Sequence, residues 1–181
     1  GDHLYLHSFP TRRSSDLNMD ALKNMNKKKI LFVCLGNICR SPSAEAVFAG
    51  MVKKEGLTGE YEIDSAGTGH WHVGKPADRR MQKHAIKRGY DLTSIGRQFN
   101  PLIDFSRFDM IVAMDDENVQ TLKSMARNDE DLMKIHKMTD FSKEWGYKEV
   151  PDPYFGGEEG FELVLDLLED ACAGLLHTTK P

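Results

Sequence analysis

The chain has 181 residues and a formal net charge of −4; 40% are hydrophobic and 29% charged, which suits one domain with a real core. The negative balance argues against nucleic acid as a partner, because phosphate backbones attract basic surfaces. Three cysteines, Cys34, Cys39 and Cys172, do not make a disulfide framework, and no apolar run approaches the roughly 18 residues that a membrane-spanning helix needs; the expectation is a reducing, cytoplasmic setting without membrane insertion.

Residues 1–26 (GDHLYLHSFPTRRSSDLNMDALKNMN) show no sustained helical or strand period and no secretory pattern, and read as an appended or disordered leader. The folded domain is expected over 27–181. After Lys27–Lys29 comes a continuous apolar run, Ile30-Leu31-Phe32-Val33-Cys34-Leu35, the pattern of a strand buried on both faces. A short loop, Gly36 to Arg40, leads into Ser41-Pro42, which reads as N-cap and first helical position. Ala44, Val47, Phe48, Met51 and Val52 repeat at helical spacing, and Gly56 marks the stop. Strands are then expected at Tyr61–Ser65, Phe108–Met114 and, more weakly, Leu132–Met138. Helices are expected at Pro76–Arg88, at about Asp115–Ala126, and in a long final stretch marked by Phe161, Val164, Leu165, Leu168, Ala171, Cys172 and Leu175. Alternating strands and helices imply an α/β three-layer sandwich: a four-stranded parallel sheet with helices on both faces and ligands at the carboxyl ends of the strands.

Cys34 ends the first strand, and Arg40 follows six positions later. That spacing is weak alone and gains meaning from its context between a buried strand and a helix start. Loop N–H groups there can curl around an anion, and the helix N-terminus adds partial positive charge. Gly36 would permit backbone conformations that a side chain resists. Arg40 offers a planar fork of donors matched to phosphate oxygens. Such surroundings favour a thiolate, placing a nucleophile on the floor of a phosphate cradle.

The segment VCLGNICRSPSAEAVF resembles the phosphate-binding loop and first helix of the low-molecular-weight protein tyrosine phosphatases. The resemblance runs from Lys28 to about Leu176 and includes DSAGT at Asp64–Thr68, WHVGKPAD at Trp71–Asp78, GRQF at Gly96–Phe99, AMDDEN at Ala113–Asn118 and PDPY at Pro151–Tyr154. It implies hydrolysis of phosphotyrosine with Cys34 as the nucleophile that becomes phosphocysteine. Arg40 would be the phosphoryl clamp and Asp152 the general acid. Leu35, Gly36, Asn37, Ile38, Cys39, Arg40 and Ser41 would bind the phosphate, with Asn37, Ser41 and Ser65 as supporting polar groups. Leu35, Ile38, Trp71 and Tyr154 would line the cleft for the aromatic ring. No metal and no cofactor are implied; the partners would be tyrosine-phosphorylated proteins and a cognate tyrosine kinase.

Two positions depart from the family pattern. Ser94 stands where many members carry a histidine that hydrogen-bonds the loop asparagine, and Phe155 stands where some have a second tyrosine. His70 and His72 flank Trp71 and read as exposed loop histidines; Cys172 reads as core. An arsenate reductase on the same fold would need further cysteines to carry a disulfide outward. A protein-arginine phosphatase would carry Thr where Ile38 stands. A non-catalytic phosphate-binding module would not need Cys34, Arg40 and Asp152 together.

Overall fold

The computed structural model describes residues 26–181 and, before them, positions 14, 15, 18, 19 and 22; the expected leader at 1–26 lies almost wholly outside the described residues. Four strands, β1 (Lys28–Cys34), β2 (Tyr61–Gly67), β3 (Met110–Ala113) and β4 (Ile135–Lys137), form one parallel sheet in the order β2-β1-β3-β4. The chain thus crosses outward on both sides of β1, and Cys34, the last residue of β1, sits where the crossovers diverge. This is the crevice in which open α/β sheets bind ligands.

The apolar run of β1 splits by alternation between two cores. Ile30, Phe32 and Cys34 pack under α1 (Arg40–Lys54), α2 (Arg79–Lys87) and α6 (Glu158–Thr179), through Val47, Phe48, Met81 and Leu168 among others. Leu31 and Val33 point the other way, to Phe105 of α3 (Pro101–Arg107), Leu122 of α4 (Asp116–Met125) and Phe99. Helices therefore cover both faces, as the alternating pattern implied. The expected core position of Cys172 holds: it is fully buried in α6.

Several boundaries differ from the sequence reading. Helix α1 begins at Arg40 with Cys39 at its N-cap and no side-chain cap. Ser41 is therefore not the cap, and Pro42 sits inside the first turn, where its missing N–H still costs nothing. Helix α2 starts at Arg79, later than expected, because Asp78 caps it through the N–H groups of Arg80 and Met81. Two short helices, α3 and α5 (Asp129–Met133), were not read from the sequence; the side chains of Asn100 and Asn128 cap them. The fourth strand shortens to Ile135–Lys137 because α5 occupies the residues before it.

Candidate active site

The loop between β1 and α1 is braced by the end of β2. Thr68 N–H donates to Cys34 O at 2.9 Å and Gly69 N–H to Leu35 O at 2.9 Å. A Cβ on Gly67 would stand 2.8 Å from Leu35 O, so a side chain there would push strand and loop apart. The unusual backbone is not at Gly36 but at Asn37, whose φ of 56° is left-handed, a conformation asparagine tolerates better than most residues. Gly36 matters for space instead: a Cβ would meet the His72 ring at 3.0 Å.

Cys34 Sγ lies in the curl of this loop and is 2% exposed. Asn37 N–H points at it from 3.3 Å, and Ser41 Oγ is 3.0 Å away. The Asn37 side chain is wired on both ends: its amide nitrogen donates to Ser41 Oγ (2.7 Å) and Ser65 Oγ (3.0 Å), and its oxygen accepts from Arg97 N–H (3.0 Å). The uncapped first turn of α1 leaves N–H groups directed at the same space, a ready anion site.

Arg40 is 3% exposed. Its Nη1 is held by Asp115 Oδ2 at 2.5 Å and Val150 O at 3.2 Å, while Nη2 reaches toward Asp152 Oδ2 at 3.6 Å. Burial works against its charge, but Cys34 and the Asp115 and Asp152 carboxylates outweigh it, and the guanidinium is held charged more firmly than usual. Asp152 is partly open to solvent and accepts the Tyr154 N–H at 3.1 Å. Arg80 secures this segment: it donates to Tyr154 O at 3.0 Å and pairs with Asp78 at the start of α2.

Cys34, Arg40 and Asp152 all face one cleft of about 160 Å³, whose walls include Leu35, Ile38, Trp71 and Tyr154. Every expected nucleophile, clamp, acid and cleft residue is thus brought together. Cys39 also lines the cleft; burial, then Asp78 and Cys34, push its thiol well above the usual range, so it stays protonated. Three participants were missed. His72 is a cleft wall, half-buried beside Gly36, not an exposed loop histidine; His70 is exposed as expected. Phe155 also borders the cleft and is 93% exposed. Asp115 positions Arg40, and its only sequence signal lay in the AMDDEN segment. Among the described residues no cluster of three or more His, Cys, Asp or Glu could hold a metal ion, and no helix is long and apolar enough to cross a membrane.

A sulfur nucleophile in an amide cradle, beside an arginine and a carboxyl group, is the equipment of phosphoryl transfer. The chain belongs to the low molecular weight phosphotyrosine protein phosphatase family, whose sequence model matches residues 29–180. A Synechocystis protein named for the same family is 47% identical over 148 residues, spanning 82% of this chain and 94% of the relative. Among solved structures, a protein tyrosine phosphatase from Entamoeba histolytica is 48% identical and superposes with a TM-score of 0.81, over 84% of this chain and 96% of that one. A Drosophila arginine phosphatase is 34% identical with a TM-score of 0.77, over 84% and 98%. The enzyme is a protein-tyrosine phosphatase.

Proposed function

We propose that Cys34 Sγ attacks the phosphorus of a phosphotyrosyl side chain while Asp152 donates its proton to the departing phenol oxygen. The P–O bond breaks as the S–P bond forms, leaving a phosphocysteine. Asp152, now a carboxylate, then takes a proton from water; the resulting attack breaks the S–P bond and releases phosphate. Leu35, Gly36, Asn37, Ile38, Cys39 and Ser41 supply the cradle, and Arg40 binds the equatorial oxygens through the face not taken by Asp115. The observation that carries this reading is the convergence on one cleft of the Cys34 sulfur, the Arg40 guanidinium and the Asp152 carboxyl. Asp152→Asn is expected to lower kcat for phenyl phosphate by on the order of 10²–10⁴-fold and far less for an activated nitrophenyl ester, since only a poor leaving group needs the proton. Equal losses along a leaving-group series would remove Asp152 from that role.

The substrate class follows from cleft depth. Cys34 is buried at the floor, while Trp71 and Tyr154 are exposed at the rim. A phenyl ring reaches that floor and packs on apolar and aromatic walls; a serine phosphate on its short stem brings the peptide backbone against the rim first. Phosphotyrosine peptides are expected to be preferred over matched phosphoserine peptides by on the order of 10²-fold in kcat/KM, and comparable rates would refute the depth argument. The Drosophila relative makes phosphoarginine the second substrate to assay. Ile38 presents an apolar face to the cleft, which favours the aryl ester, and Ile38→Thr should narrow that preference. Tyrosine-phosphorylated proteins and a cognate kinase in the cytoplasm complete the proposed setting.

A further inference from the structure

The segment that carries Asp152 is held firmly at its start. Val150 is fully buried; its N–H donates to Met114 O at 2.9 Å, and its carbonyl accepts from Arg40 at 3.2 Å. Beyond Val150 the backbone has few means of fixing itself. Pro151 and Pro153 have no N–H to donate, and the Tyr154 N–H is taken by the Asp152 carboxylate at 3.1 Å. Among the described residues, one side chain from outside the segment hydrogen-bonds residues 153–157, and it is Arg80.

Arg80 does not line the cleft, yet its guanidinium meets four groups at once. Nη2 donates to Tyr154 O at 3.0 Å and to Asp78 Oδ2 at 3.1 Å, and Nε donates to Asp78 Oδ1 at 3.3 Å. The guanidinium carbon lies 4.9 Å from the centre of the Phe161 ring, on α6, and 5.5 Å from that of Tyr154, on the cleft wall. Asp78 is itself fixed: its carboxylate caps α2, and its N–H donates to Ile38 O at 2.9 Å. Ile38 belongs to the loop around Cys34. A continuous path therefore runs from that loop through Asp78 and Arg80 to Tyr154, whose N–H holds Asp152.

We propose that Arg80 is a positioning residue for Asp152: it ties the acid's segment to the loop that holds the nucleophile, so that acid and sulfur keep one spacing across the substrate. This inference rests on the role proposed above for Asp152. The planar fork is what the place requires, because it reaches a carbonyl and a carboxylate together while its faces lie against two rings; an ammonium reaches one of them. The Arg80 side chain is 47% exposed, and an ion pair in that setting contributes little to stability, so its removal leaves the fold in place. What it removes is the tether. Asp152 Oδ2, now 3.6 Å from Arg40 Nη2, is then free to close on that cation and leave the phenol oxygen without its proton donor.

A double-mutant cycle read with two substrates tests this. The quantity is kcat/KM, which covers every step through departure of the phenol, for phenyl phosphate and for an activated nitrophenyl ester. Arg80→Met, which keeps an apolar stem and removes the fork, is expected to lose about tenfold with phenyl phosphate and to stay within about twofold with the activated ester. In an Asp152→Asn background the same substitution should change phenyl phosphate hydrolysis by less than about twofold, since no acid remains to be placed. Arg80→Lys should recover only part of the loss. An equal loss with both esters, a tenfold loss that persists in Asp152→Asn, no loss in Arg80→Met, or full recovery in Arg80→Lys would each overturn the positioning role. Absence of any leaving-group contrast in Asp152→Asn alone is a separate result; it would remove the acid assignment and this inference together.

Discussion

Cys34→Ser is expected to eliminate turnover, by at least about 10⁴-fold, while the protein still binds phosphate-like anions. The serine oxygen would occupy the place of Sγ beside Ser41 and the Asn37 N–H, but it lacks a general base to make it a nucleophile. The cradle, Arg40 and Asp152 remain, so anion affinity should survive, measured by calorimetry with inorganic phosphate. In the wild-type enzyme, rapid acid quench during turnover of labelled phosphotyrosine peptide should trap a phosphoenzyme that Cys34→Ser cannot form. Residual hydrolysis in Cys34→Ser at more than a thousandth of the wild-type rate would point to a different nucleophile.

Arg40→Ala should cost on the order of 10³–10⁵-fold in kcat/KM, the range for arginines that meet a transferring phosphoryl group. Both KM and kcat should suffer, because the guanidinium meets the substrate dianion and the more dispersed charge of the transition state. The loss has a structural component as well: Asp115, and Asp152 on the cleft wall, would then be left without their cation. Arg40→Lys should recover little, since a single ammonium cannot satisfy Asp115, Val150 O and a phosphate together. Asp115→Asn isolates the positioning effect, because asparagine can still cap α4 as Asp115 does through the Asn118 N–H. We expect a loss of about tenfold there, with Arg40 released from Nη1 and drawn to Asp152. Arg40→Ala with normal kcat would contradict the clamp.

Local pattern determined much of this protein. The apolar run Ile30–Leu35 could only be a strand buried on both faces, and its partition into two cores confirms it. The period of α6 and the alternation of elements implied a covered parallel sheet. Cys34 through Ser41 are contiguous, so their cradle was legible from a strand end followed by a helix start. Tertiary structure decided what no local window contains. Arg40 finds Asp115 75 positions away and Asp152 112 positions away, and only the β2-β1-β3-β4 order brings those crossover ends together. His72 enters the cleft because the segment after β2 folds back across Gly36, a contact set by the missing Cβ rather than by any periodicity. The starts of α1 and α2 were misread for different reasons: α1 begins at Arg40 with no side-chain cap to mark it, and α2 waits for Asp78, whose carboxylate accepts the Arg80 and Met81 N–H groups. The departure at Ser94 was visible in the sequence, but the Asn37 network beside it required Ser65 and Arg97 to meet the loop from two other segments, which a folded interior alone can arrange.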